Sequence, residues 1–218
     1  MKVIKSNSIS AFGGINFVFE HLNSLNISDI ITESLPKLKH NSRYSWKDLF
    51  YSFLSIYYCG GEHIEDIHTN LRPHFENNPY VKLPSPDTLL KRLSELATQN
   101  QICRTKRGSV EHKFNHNEML CKLNMAILSK LGVLSSRELT IDYDNTIIFN
   151  EKSDSKMTYK RDYGYQSGVC TINEEHILYI ENRNGNSAAN SFQADTLQRM
   201  FGALDKYKTS KVVHFRAV

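Results

Sequence analysis

Apolar positions recur along this chain with two different periods, and the change from one to the other falls near residue 136. Before it they return every three or four residues, the spacing that lines one face of a helix. Trp46, Leu49, Phe50, Phe53, Leu54 and Tyr57 form such a stripe. Ser45 opens it with Asp48 three residues on, the signature of a capping box, and Gly60-Gly61 closes it. A second helix is expected over 62–71, burying Ile64, Ile67 and Leu71 and stopping at Pro73. In Leu83-Pro84-Ser85-Pro86-Asp87, Ser85 is placed to cap and Pro86 to open a third helix whose face is Leu89, Leu90, Leu93 and Leu96. A fourth runs from about Asn115 to Leu131, with Met119, Leu120, Leu123, Ile127 and Leu128, and Gly132 ends it.

From about Glu138 the period falls to two. In the segment 139–149, alternation sends Leu139, Ile141 and Tyr143 to one face and Thr140, Asp142, Asp144 and Thr146 to the other. Further strands are expected from roughly Met157 to Ile172, interrupted at Gly164 and Gly168, and from His176 to Asn182. Asn182-Arg183-Asn184-Gly185-Asn186-Ser187 reads as a loop, and Asn190 as the cap of a helix carrying Leu197, Met200, Phe201 and Leu204. A short apolar strand, Lys211-Val212-Val213-His214-Phe215, follows. Strand, strand, strand, helix, strand suits antiparallel hairpins and then a crossover. The expectation is an α+β chain in two parts, a helical region over 1–135 and a mixed sheet over 136–218.

Composition narrows the class. At 218 residues, with 40% hydrophobic and 23% charged, the chain can bury a sizeable core and has neither a disordered nor a membrane profile. No apolar run nears the roughly 20 residues of a membrane span, and the N-terminus lacks a secretory apolar core, so a cytoplasmic location is expected. Cys59, Cys103, Cys121 and Cys170 stand far apart with no Cys-x-x-Cys pair, which supports neither a zinc ribbon nor a disulfide framework. Cys59, His63, His68 and His74 cluster, yet the spacing of His63 and His68 fits neither a helix-face pair nor a zinc finger. The glycine pairs lack the setting of a phosphate loop. A net charge of +4 permits nucleic-acid binding without demanding it.

Two carboxylates inside a strand that otherwise reads as buried need a reason. Asp142 and Asp144, about 7 Å apart on one face, repel as anions, and burying them unpaired costs several kcal/mol. A divalent cation such as Mg²⁺ resolves the conflict, being held by one or two carboxylates with water and phosphate oxygens completing its shell. On pattern alone a strand-end turn, with the acids and Thr146 satisfying backbone donors, fits equally well.

The helical front, Asp142-Tyr143-Asp144-Asn145-Thr146, the segment Tyr159-Lys160-Arg161-Asp162-Tyr163-Gly164-Tyr165, and Asn182-Arg183-Asn184-Gly185-Asn186 together resemble the N-terminal part of a bacterial insertion-sequence DDE transposase. The resemblance covers essentially the whole chain. It implies a ribonuclease-H-like core in which strand one supplies the first Asp, the end of strand four the second, and a later helix the Glu. With Mg²⁺ or Mn²⁺, intact relatives hydrolyse a phosphodiester at the element's end, and the freed 3′-hydroxyl then attacks target DNA. Asp144 is favoured as the first acid, because Asp-Asn-Thr matches the family's Asp-small-Thr pattern; Asp142 is the close alternative. The second Asp is expected one position after Ala217, where this chain has Val218, and the Glu-bearing helix is absent from the sequence. The resemblance is therefore to a truncated transposase, a partial ribonuclease-H-like domain expected to hold its ions poorly, to be inactive alone, and to be marginally stable for want of its remaining strands.

Basic residues complete the picture. Arg104, Lys106 and Arg107, with His112 and Lys113, fall in an expected flexible loop between the third and fourth helices, suited to phosphate contact or simply to solubility. Lys91 and Arg92 lie on the capped third helix, and Lys160 and Arg161 among tyrosines beyond the acidic strand. The partners implied are the element's terminal inverted repeats and a full-length transposase or a second copy, with no membrane. Two other classes stay open: a non-catalytic DNA-binding regulator of transposition, and an unrelated metal-dependent phosphohydrolase or interaction protein in which the acid pair is coincidental.

Overall fold

The computed structural model describes residues 10–104, 111–188, 190–209 and 212–217. The chain divides between Ala97 and Thr98 into two compact units, rather than near residue 135.

The first unit is helical: α1 (Ile15–Ser24), α2 (Ile27–Ser34), α3 (Trp46–Tyr58), α4 (Arg72–Phe75) and α5 (Pro86–Ser94). At the start of α3 the capping box forms as expected, Asp48 N–H donating to Ser45 Oγ (3.1 Å) and Ser45 N–H to Asp48 Oδ2 (2.9 Å). The second carboxylate oxygen is used as well. Asp48 Oδ1 accepts from Lys82 N–H (3.0 Å), tying a distant loop to the helix. Phe19 stacks on Tyr51 with centroids 4.8 Å apart, and Ile31, Leu49, Ile67, Leu71 and Leu89 close the core around them.

Two expectations for this unit change. The helix expected at 62 starts at a π turn, Ile67–Leu71, because Asp66 Oδ2 accepts from the N–H groups of both Glu62 and His63 and holds them in a turn. Pro73 does not stop it. It sits at the start of α4, where a missing N–H costs nothing, and the chain runs on helically to Phe75. On α5 Ser85 caps Thr88 N–H as expected, but Leu90 is 47% exposed while Leu89 and Leu96 are buried, so the stripe is narrower than the spacing suggests.

The second unit is built on β1 (Gln101–Arg104), β2 (Glu111–Asn115), α6 (Glu118–Lys130), β3 (Glu138–Phe149), β4 (Lys156–Met157), β5 (Tyr163–Ile172), β6 (His176–Arg183), α7 (Gln193–Leu204) and β7 (Val212–Ala217). The strands lie in the order β1-β2-β6-β5-β3-β7, with β4 beside β5. All pairings are antiparallel except that of β3 with β7. The segment expected as a flexible loop is thus partly a β-hairpin, and Phe114 and Asn115 extend the sheet by pairing with Arg183 and Asn182. That pairing moves 98–135 out of the helical part. Its strands are too short and too charged for a period of two to show.

Leu139, Ile141 and Tyr143 turn inward as the alternation requires, packing with Cys170, Ile172, Leu178 and Tyr179 against Met125 and Leu128 of α6 and Met200 and Leu204 of α7. β5 runs unbroken through Gly164 and Gly168, the two expected interruptions. Its three-residue turn into β6 puts Asn173 and Glu174 at φ 53° and 63°, both in the left-handed region. Asn173 then bonds both backbone groups of Thr140, N to O at 2.7 Å and Oδ1 to N at 3.0 Å, fixing the start of β3. α7 begins at Gln193 without the expected Asn190 cap, since Phe192 occupies the cap position at φ 54° and no side chain caps the helix. Among the described residues no helix is long and apolar enough to cross a membrane.

Gly185 marks the closest backbone approach: a Cβ there would overlap the carbonyl oxygens of Gly164 and Lys156, and neither carbonyl can swing aside as a side-chain end could. Gly202, inside α7, has nothing within 4 Å of its Cβ position. Gly185→Ala is expected to destabilise by about 1–3 kcal/mol through overpacking, and Gly202→Ala to stabilise by about 0.5–1 kcal/mol through helix propensity. Urea unfolding midpoints of the two variants should move in opposite directions.

Candidate functional site

β3 carries Asp142 and Asp144 on the face turned away from α6 and α7, and the two carboxylates meet different fates there. In the parallel ladder Asp142 pairs with Arg216 of β7. The guanidinium grips the carboxylate with two bonds, Nε to Oδ1 at 2.6 Å and Nη2 to Oδ2 at 3.0 Å, the fork geometry that Arg offers a carboxylate. Arg216 also bonds Glu174 of the β5–β6 turn. These bonds, that to Asp142 first, raise the Arg216 pKa further above its ordinary value. Asp144 is exposed, and its Oδ1 accepts from the adjacent Asn145 N–H at 2.7 Å. Asp142 is committed to an ion pair, whereas Asp144 remains open to solvent.

Underneath, the sheet is held by polar groups inside the core. Between the two acids, Tyr143 points inward against Gly168, whose Cβ position would lie 2.5 Å from the tyrosine hydroxyl. Arg183 Nη1 donates to that hydroxyl (3.3 Å) and to Asn145 Oδ1 (3.2 Å). Nη2 of the same guanidinium gathers the carbonyls of Ala188 and Ser191. Burial raises the Tyr143 pKa, and the charge of Arg183 partly offsets the rise. Beside it Glu181, 1% exposed, accepts from Tyr179 OH (3.1 Å), Thr196 Oγ1 (2.8 Å) and Arg199 Nη2 and Nε (2.7 and 3.0 Å). Burial, and after it the charge of Glu181, pushes the Tyr179 hydroxyl far above its usual range. For Arg199 burial works against the charged form, but the bonds and charge of Glu181 outweigh it and the pKa rises.

This cluster was not anticipated from the sequence, which offers one signal for it. Tyr179, Glu181 and Arg183 repeat at period two, which puts them on one face of a strand; the fold buries that face and leaves the intervening Ile180 48% exposed.

The remaining candidates are scattered. Lys160 and Arg161 lie in the turn before β5, Lys160 resting 5.9 Å from the Tyr159 ring and Arg161 at φ 62°. Phe149 pairs with Gly164 just beyond that turn, so these cations lie some five residues along β3 from Asp144, about 17 Å at the usual strand rise. Arg104 is exposed on β1 and paired to Glu111 at 3.1 Å, while Lys106 and Arg107 fall outside the described residues. Lys91 and Arg92 belong to the first unit, Arg92 being bonded to Glu95 at 2.7 Å. His74 packs edge-on against Phe12 at 5.1 Å.

The donors do not fit the Mg²⁺ or Mn²⁺ of a two-metal site. Both Asp142 oxygens are held by Arg216, and among the described residues no group of three His, Cys, Asp or Glu side chains could hold an ion. Compared with protein-family models, with curated proteins and with solved structures, the chain matches none.

The two acids should separate by mutation. Asp142→Asn loses the grip on β7 and should speed amide hydrogen exchange across 212–217, with little change in global stability because Arg216 lies in solvent, which screens the pair. Asp144→Asn should leave exchange unchanged. In the core, Arg199→Met strands the Glu181 carboxylate and should cost about 3 kcal/mol in denaturant unfolding. Adding Glu181→Gln should restore a large part of it.

Proposed function

We propose that this chain derives from a bacterial insertion-sequence DDE transposase, binds the DNA of an element's ends, and by itself does not perform the family's cleavage and strand transfer. The observation that carries the reading is the pairing of β7 with β3. Chemistry that takes one acid from the first strand of a sheet and another from the fourth needs those strands side by side, because the ions they clamp lie about 4 Å apart. Counting from β3, three antiparallel strands are followed by the crossover helix α7 and by β7, parallel to β3. This order supports the reading of a ribonuclease-H-like sheet. Ala217 pairs with Tyr143, one residue short of Asp144, and the family's second Asp is expected one residue after Ala217.

Asp144 is the better first acid in this reading, since Asp142 serves to anchor β7 through Arg216. That same ion pair favours the non-catalytic form of the proposal: a regulator that occupies terminal inverted repeats or mixes with full-length transposase in the cytoplasm. An unrelated metal-dependent phosphohydrolase is supported less, because it needs the acid pair that Arg216 has split. Mg²⁺ or Mn²⁺ would be held by the family's full set of acids, of which this reading assigns Asp144 alone.

Gel shifts with duplexes from the DNA flanking the coding region, against shuffled duplexes, test the proposal. Binding should favour the flanking repeats about tenfold and weaken with salt, and no strand transfer should appear with Mg²⁺ or Mn²⁺. Equal binding to shuffled DNA would sink end recognition. Strand transfer that Asp144→Asn abolishes would sink the non-catalytic reading.

A further inference from the structure

We infer that the helical unit binds the phosphate backbone of double-stranded DNA in a cleft formed by Lys37 and Lys39 on one wall and Lys91 and Arg92 of α5 on the other. The inference rests on the DNA-binding reading above and names the surface that would carry it. The cleft has a volume of about 510 Å³, and Leu38 and Trp46 also line it. Lys37 and Lys39 are separated from Lys91 by more than fifty residues of sequence, and two bonds bring them together. Trp46 Nε1–H donates to Pro36 O at 2.7 Å, pinning the segment after α2 to the start of α3, and Arg92 Nη2 reaches Ser42 Oγ at 3.5 Å.

Charge selects an anion. Four cationic side chains line the cleft against one carboxylate, Glu95, and that carboxylate is taken up by Arg92 at 2.7 Å. Lys37, Lys39 and Lys91 are exposed, and none of the three takes part in an ion pair among the described residues. A net excess of like charge on facing walls is unfavourable until an anion enters. The chemistry of the walls then selects phosphodiester. Lysine ammoniums are point charges suited to successive phosphates, whereas carboxylates of an acidic peptide are best held by free guanidinium forks, and the one guanidinium here is already occupied. Among the described residues the floor offers no stacking platform for unpaired bases, since Trp46, the one aromatic residue on the lining, is 4% exposed. What remains is backbone contact, which positions a duplex without reading its sequence.

The test is fluorescence anisotropy of the full chain on a labelled 20-base-pair duplex, titrated over a series of salt concentrations. Lys37→Gln/Lys39→Gln/Lys91→Gln should weaken binding at least tenfold, equally for every duplex sequence. It should also flatten the slope of log K against log salt by about 0.9 for each phosphate that is no longer neutralised. The corresponding triple Lys→Arg variant should bind like wild type. A control triple on the other unit, Lys122→Gln/Lys130→Gln/Lys206→Gln, removes the same charge from exposed positions and should weaken binding far less.

Wild-type affinity and slope in the cleft triple, with circular dichroism showing it folded, would overturn the cleft while leaving the DNA-binding reading standing. Equal weakening in both triples would also overturn it, reducing the effect to net charge. Failure of the wild type to bind any duplex would sink the DNA-binding reading and the cleft with it. Displacement of the duplex by polyglutamate at equal charge concentration would overturn the assignment to phosphodiester.

Discussion

Glu181 is a carboxylate inside an apolar core, and the second unit is arranged so as to satisfy it. A buried anion left unpaired costs several kcal/mol, so the helix that follows β6 must return with donors aimed at the strand. α7 does so with Thr196 and Arg199, and Arg199 also covers the Phe114 ring at 4.2 Å, tying the added hairpin to the same point. One residue pair further along β6, Arg183 collects the carbonyls of the loop that leads into α7. Loop, helix and strand are thereby fixed together, and the chain leaving α7 is delivered to the open edge of β3.

The candidate site is a consequence of that delivery. With β7 parallel to β3, Arg216 comes level with Asp142 and takes both of its oxygens, while Asp144, two residues on, has no such partner among the described residues. Two acids that share a face are made chemically unequal by a single neighbouring strand. One becomes structural, and the other is left exposed on a strand held rigid from below by Tyr143, Asn145 and Arg183.

The first unit uses the same device at lower stakes. Asp48 and Trp46 at the start of α3 commit their polar atoms to remote backbone, Asp48 to Lys82 N–H and Trp46 to Pro36 O. Each bond is ordinary in strength, about 1 kcal/mol net, but together they gather two distant segments around one helix end. The bond to Pro36, with that of Arg92 to Ser42, also draws the cations of the cleft together.

Local chemistry was legible wherever it is self-contained. Alternation along 139–149 determined that Leu139, Ile141 and Tyr143 face the core, and Ser45 with Asp48, or Ser85 with Pro86, determined where helices begin, because period and capping are properties of adjacent residues. The order of strand, strand, strand, helix, strand was legible for the same reason. The tertiary structure alone decided that Asp142 is bound and Asp144 is not, since its partner Arg216 lies 74 residues away. It alone turned a charged loop into a hairpin of the sheet, buried Glu181 and Arg183, and set Lys37 and Lys39 opposite Lys91. Contacts between residues far apart in sequence leave no periodic trace, and the cost of burying a charge is met only where the folded chain brings its partner.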